Sequence, residues 1–246
     1  MILQVLKEKH RITVQELTHM LQASSTTIRR QLHQMEQQGL LLRTHGGAIS
    51  IEAASVEEGL DVKGRHQAKE KQLIAQEARR HINDGDIVML GGGTTIVELA
   101  KLLHNAKDLI VITNSLPAAM ELYSNKDIEV QICGGVIRDT SGVIIGNSAL
   151  RYIDELSATK TFIGADSIST KFGITTPNRF EAEIERQLVD RGNTVYVLAD
   201  STKMDKITLS RQSPLELIDY LITDAAIHPG FKDKLTASGV KVLIPK

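Results

Sequence analysis

From residue 69 onward, seven short apolar runs alternate with stretches of amphipathic periodicity. The runs span 87–90, 109–113, 128–133, 161–165, 195–199, 220–223 and 240–244. Between and around them, 69–82, 95–104, 116–124, 147–157, 180–192 and about 229–238 repeat apolar residues at helical spacing. Continuous apolar strands between one-faced helices predict an α/β sheet, mostly parallel and covered on both faces.

Residues 1–50 are patterned differently. Ile2, Val5 and Leu6 fit one short helix, and Val14, Leu17, Met20 and Leu21 fit a second. Thr13 is a good N-cap with Glu16 three residues on, which predicts a capping box. Ser24 is placed to cap a third helix in which Ile28, Leu32 and Met35 share a face, with Gly39 at its end. Past it, Leu40, Leu42, a Gly-Gly pair and Ile49 fit a two-stranded wing carrying Arg43 and His45. Two short helices around a tight turn predict a helix-turn-helix. Its recognition helix would present Ser25, Thr26, Thr27, Arg29 and Arg30 at the end that enters the major groove. A small three-helix bundle with solvated arginines is the plain alternative. The expected organisation is a head at 1–52, a linker at 53–68 and an α/β body at 69–246.

Charge adds to this division. Residues 1–50 hold six Lys and Arg against three Glu, a balance of +3, whereas the remaining 196 residues carry 23 Lys and Arg against 27 Asp and Glu. A basic head on a mildly acidic body points to a polyanion held by the head. The 246 residues include one cysteine, Cys133, so an intramolecular disulfide and a Cys/His zinc set are both excluded. No cofactor or metal is expected. No apolar run has signal-peptide or transmembrane character, so a cytoplasmic protein without a membrane partner is expected.

Candidate chemistry clusters where the predicted strands end, the place where open α/β sheets bind ligands. The first strand runs into Gly91, Gly92, Gly93, Thr94 and Thr95, the second into Thr113, Asn114 and Ser115, and the third into Gly134, Gly135 and Arg138. The fourth leads to Gly164 and Asp166 and the fifth to Asp200, Ser201 and Lys203. Glycines admit close backbone approach, and free amides at a helix start favour phosphate. The "GGGTT" segment has no following Lys-Ser/Thr and no third spaced glycine, so it is neither a Walker loop nor a dinucleotide fingerprint. A phosphate cradle and a tight structural turn both remain open.

The segments "TIRRQLHQMEQQGLLLRTHGGA", "LGGGTTIVELAKLL", "ITNS", "CGGVIRDTSGVIIG", "FIGADSISTKFGITT" and "LADSTK" together resemble the DeoR-type family of bacterial transcription regulators, over nearly the whole chain. The resemblance implies a winged helix-turn-helix joined to a sensor similar to ribose-5-phosphate isomerase and related sugar-phosphate isomerases. It implies operator DNA and a phosphorylated sugar or polyol as partners, and a dimer or tetramer. On matching positions, Gly92, Gly93, Thr94 and Thr95 would hold phosphate, while Asn114, Ser115, Gly135, Asp166, Glu181, Glu183 and Lys203 would line the pocket. Arg65 and Lys71 also match, as members of structural ion pairs or as anion contacts. Two positions depart from the pattern. Gly91 stands where Asp is common, and Glu185 where Lys is usual. Together they suggest a changed effector, unless Glu185 only decorates a solvated helix face. The function implied is a repressor released from DNA by a phosphosugar. An isomerase-like enzyme with a DNA-binding appendage is the alternative, its candidate bases being Asp166, Glu181, Glu183 and Lys203. A nucleotide-binding regulator is a third.

Overall fold

The computed structural model describes the chain except residues 10, 39, 45, 51–56, 58 and 246. The head contains α1 (Ile2–Lys9), β1 (Arg11–Thr13), α2 (Val14–Leu21), α3 (Ser25–Gln37), β2 (Leu42–Thr44) and β3 (Gly47–Ile49). The capping box is present. The Glu16 amide donates to the Thr13 hydroxyl at 3.1 Å, and the Thr13 amide donates to the Glu16 carboxylate at 2.7 Å. Ser24 caps α3 by accepting from the Thr27 amide. The wing has three strands, because β1 pairs with β3 on the side away from β2. Ile2, Leu6, Ile12, Leu17, Ile28, Leu32 and Leu41 close a small core beneath them. The helix end expected at Gly39 lies outside the described residues.

Two helices lead into the body, α4 (Leu60–Arg65) and α5 (Ala68–Arg79). The segment expected to be an aperiodic linker thus contains a helical turn. Lys71 explains its local stability. Its ammonium donates to the carbonyls of Lys63 and His66, at and just past the C-terminal end of α4, where unpaired carbonyls and the helix dipole favour a cation.

The body follows with β4 (Ile87–Leu90), α6 (Thr94–Lys101), β5 (Leu109–Thr113), α7 (Leu116–Leu122) and β6 (Ile128–Ile132). Next come β7 (Val136–Ile137), β8 (Ile144–Ile145), α8 (Asn147–Asp154), β9 (Lys160–Gly164), β10 (Ser167–Ser169), β11 (Gly173–Thr176) and α9 (Arg179–Asp190). The chain ends with β12 (Val195–Leu198), β13 (Ser210–Ser213), β14 (Tyr220–Ile222), α10 (Pro229–Ala237) and β15 (Lys241–Leu243). The seven apolar runs become one parallel sheet of order β15-β14-β12-β9-β4-β5-β6. Phe162, Tyr196 and Tyr220 stand in register on three adjacent strands, and their rings stack at 4.7 Å, close to the strand spacing. Apolar residues from both sides bury the sheet. Beside it lie an antiparallel sheet of order β10-β11-β13 and the hairpin β7–β8, neither foreseen from the pattern.

Strand order fixes where a ligand can bind. From β4 the chain builds outward through β5 and β6, then returns to the other side of β4 with β9 and continues to β15. The reversal falls between β4 and β9, and the loops leaving these two strands border a crevice there.

Candidate functional site

The two loops at the reversal meet closely because both are glycine-rich. A Cβ on Gly164 would stand 2.8 Å from the Gly92 carbonyl oxygen. Gly93 enters α6 at φ +107, a conformation that side chains rarely adopt, and no side chain caps this helix. The first-turn amides of α6 therefore have no side-chain cap, an arrangement that suits an anion. Gly92, Gly93, Thr94 and Thr95 line a cavity of about 70 Å³, opposite Asp166 and beside Glu181 and Lys203.

Paired charges fill much of this space. Lys63, on α4, donates to Asp166 at 2.7 Å, and Thr176 donates to the other oxygen of that carboxylate at 2.9 Å. Arg138 bridges Glu57 at 2.7 Å and Glu181 at 2.8 Å, and the Ser141 hydroxyl also donates to Glu181. Burial works against the charge on Lys63, but Asp166, with Glu57 and Glu181 beyond it, lifts its pKa above the ordinary value. Burial likewise raises the Glu181 carboxyl, with Glu57 and Asp166 adding to the effect and Ser141 and Arg138 opposing it.

Glu185 corrects the reading that placed it on a solvated face. It is 6% exposed and sits on the cavity floor. The Gly92 amide donates to one of its oxygens at 2.7 Å and the Gln212 amide to the other at 3.3 Å. Burial pushes its pKa up to about 8. The Gly92 and Gln212 hydrogen bonds oppose the rise, while the charges of Glu181 and Asp166 add to it. Because Glu185 takes the Gly92 amide, a docking anion is left with the amides from Gly93 onward.

Other expected pocket residues do not reach the cavity. Ser115 is buried and caps α7 by accepting from the Ala118 amide at 3.3 Å. Asn114 is fully buried, and its side-chain amide has no partner among the described residues. Gly135 packs on the hairpin, where a Cβ would stand 2.4 Å from the Ile145 carbonyl oxygen. Glu183 turns outward and pairs with Arg179 at 3.5 Å. Arg65 is exposed. Conversely, sequence reasoning named Arg138 only among the strand-end residues and did not single out Lys63 or Gln212, although all three touch the carboxyls of the site. Arg138 had a signal, its place after the third strand. Lys63 and Gln212 had none, because neither lies in a periodic stretch.

On the head, Ser25, Thr26, Arg29 and Arg30 are exposed along the start of α3, and the two arginines form no ion pair among the described residues. Thr27 is half-buried and its hydroxyl is shared with that of Ser24 at 2.9 Å, so it serves the helix cap. Arg43 is half-buried on β2, with its Nε unpaired. His45 lies outside the described residues. No helix among the described residues is long and apolar enough to cross a membrane.

Comparison with known proteins matches both parts. The DeoR-like helix-turn-helix domain matches residues 1–54, and the DeoR C terminal sensor domain matches residues 66–225. The HTH-type transcriptional regulator GolR of Listeria innocua serovar 6a is 32% identical over 243 residues, covering 99% of this chain and 96% of its own. The lactose phosphotransferase system repressor of Lactococcus lactis subsp. lactis is 34% identical over 231 residues, 93% of this chain and 90% of its own. Among solved structures, ribose 5-phosphate isomerase A from Methanocaldococcus jannaschii aligns with a TM-score of 0.40 and 20% identity, over 55% of this chain and 53% of the other. The sequence relatives carry the names of regulators rather than of enzymes. With a matched sensor domain over most of its length and a matched head before it, this chain belongs to the DeoR family of HTH-type transcriptional regulators.

Proposed function

We propose that this chain represses carbohydrate-metabolism genes by holding operator DNA with its head, and that a phosphorylated sugar or polyol in the body cavity releases it. The phosphate docks on the amides of Gly93, Thr94 and Thr95, and the hydroxyls meet the polar wall of Asp166, Glu181 and Lys203. The observation that carries this reading is the 2.7 Å contact between Lys63 and Asp166. Lys63 belongs to the segment that joins head to body, and Asp166 belongs to the cavity. The Leu60 amide also donates to the Thr140 carbonyl at 3.0 Å, and Arg138 holds Glu57. The cavity of about 70 Å³ is smaller than a sugar phosphate needs. An effector therefore displaces these linker contacts, and the same displacement alters the seating of the head. That is a differential contact between two states, which any ligand-driven shift requires.

Two heads on repeated half-sites call for self-association. The apolar side chains exposed along β6 and the following hairpin, Ile132, Val136 and Ile137, offer a surface for it. One relative is named as the repressor of a lactose phosphotransferase system, which supports a link to carbohydrate genes.

The test is a DNA-binding titration against sequences selected from a random duplex pool, repeated with a panel of phosphosugars. At least one is expected to weaken binding at constant salt, and Lys63→Ala to uncouple that response. A panel that leaves DNA affinity unchanged while stabilising the body would remove the coupling. Turnover of ribose 5-phosphate with solvent proton exchange would revive the isomerase reading.

A further inference from the structure

Among the described residues four carboxyls line the cavity, and three have an evident local role. Asp166 is held by Lys63 and Thr176, and Glu181 by Arg138 and Ser141. Asp200 caps the short turn that follows it. Glu185 differs, because both of its hydrogen bonds come from neutral amides, those of Gly92 and Gln212. The Gln212 amide is held in turn on the Gly164 carbonyl at 3.1 Å, so the group is fixed from both loops of the crevice. Its seat exists only because residue 91 is glycine. A Cβ there would stand 2.4 Å from one carboxyl oxygen and 2.8 Å from the other. The two departures noted in the sequence are therefore a single structural unit.

Resting on the phosphate cradle proposed above, we propose that Gly91 and Glu185 set the specificity of the site, and that the effector they select is a phosphorylated sugar carrying a free amine. A phosphate on Gly93, Thr94 and Thr95 leaves its sugar next to Glu185, which is bonded to the adjoining amide. Burial pushes the Glu185 pKa up to about 8, so the carboxyl is largely protonated at neutral pH. An arriving ammonium changes that balance. The carboxyl gives its proton to the buffer, and the resulting carboxylate accepts a charge-assisted hydrogen bond from the ammonium. Glu181 and Asp166 lie close enough to bear on the Glu185 proton, so they add to the field that favours a cation. A hydroxyl at the same place gains only a neutral hydrogen bond, and an N-acetyl group brings no charge at all.

The test is calorimetry on the full chain at pH 7, in two buffers of different ionisation enthalpy. The probes are inorganic phosphate, glucose 6-phosphate, N-acetylglucosamine 6-phosphate and glucosamine 6-phosphate. The amine is expected to bind at least about tenfold tighter than its hydroxyl counterpart and to release protons on binding. In Glu185→Gln, which keeps the side-chain shape, the affinity ratio is expected to collapse and the proton release to disappear. Gly91→Ala, which evicts the carboxyl, reports the same ratio from the opposite side of the contact. If phosphate binds but the amine has no advantage, or if Glu185→Gln keeps the ratio, the specificity proposal is overturned and the cradle stands. If none of the four probes binds, inorganic phosphate included, the cradle falls and takes the proposal with it.

Discussion

The start of α3 and the cavity at the β4–β9 crevice both present cations, in opposite ways. Arg29 and Arg30 are exposed and carry no partner among the described residues. Lys63 and Arg138 are only 19% and 15% exposed, and each already holds a carboxylate at 2.7 Å. Free exposed cations suit a long polyanion, which is attracted from a distance and screened by salt. Cations already paired suit a small ligand, because the ligand must exchange one set of contacts for another. On the proposed reading, that exchange lets the cavity discriminate and lets occupancy be felt at the linker.

The largest effect that could break this comparison is on stability, through Glu185. Its folded pKa of about 8 stands above the ordinary value of 4.5. For an acid raised on folding, the native state keeps a proton that the unfolded chain has lost. Stability therefore falls as pH rises from about 4.5 to about 8, by up to ~1.4 kcal/mol per pH unit, and levels off above. Denaturant titrations of the wild type and Glu185→Gln from pH 5 to 9 are expected to diverge across that window, with the variant gaining. Parallel curves would mean that the carboxyl is solvated, and the cavity would then lose its distinction from the head.

On the head, Arg29→Ala or Arg30→Ala is expected to weaken DNA binding by about 1–3 kcal/mol where the side chain reads a base. Where it meets a phosphate, the logarithmic salt dependence should shrink by about one charge. Affinity measured from 50 to 200 mM salt separates the two cases. An unchanged slope and affinity in both variants would remove α3 from the interface. Smaller again is the effect of the cradle hydroxyls. Thr94→Ala and Thr95→Ala each remove one neutral donor, worth about 1 kcal/mol, or several-fold in effector affinity. Operator binding without effector should be unaltered. A full effector response in both variants would move the phosphate elsewhere.

The seven sheet strands were legible because burial on both faces leaves an uninterrupted apolar run, a pattern that survives without any tertiary knowledge. The helix caps at Thr13 and Ser24 were legible because capping is local. The sheet β10-β11-β13 was not. Its strands read Ser-Ile-Ser, Gly-Ile-Thr-Thr and Ser-Arg-Gln-Ser, and most of these polar residues are buried through partners distant in sequence. Gln212 reaches Glu185 from this sheet, so that contact was hidden too. The ends of β4, β9 and β12 do line the cavity, but counting every strand end overcounted its walls. The ends of β5 and β6 lie on the far side of β4 from the reversal, where Ser115 caps a helix, Gly135 packs on the hairpin and Asn114 is buried away from the cavity.

The smallest effect comes from within a single helix and separates its two sides. The run Glu181-Ala-Glu-Ile-Glu185 places carboxyls at every second residue of α9. Residues four apart share a helix face, whereas a step of two turns to about the opposite side. Glu181 and Glu185 thus face the cavity together, and Glu183 faces out, 43% exposed against an Arg179 that is 71% exposed. An ion pair that open to water contributes little, so Glu183→Ala is expected to change stability by less than ~0.5 kcal/mol and to leave effector binding untouched. Geometry alone separates the three carboxyls, and a thermal-shift comparison of Glu183→Ala with Glu185→Gln checks it. Effector binding lost in the Glu183 variant would mean that the outward face of α9 also belongs to the site, and that the cavity is not the only place where this helix meets a ligand.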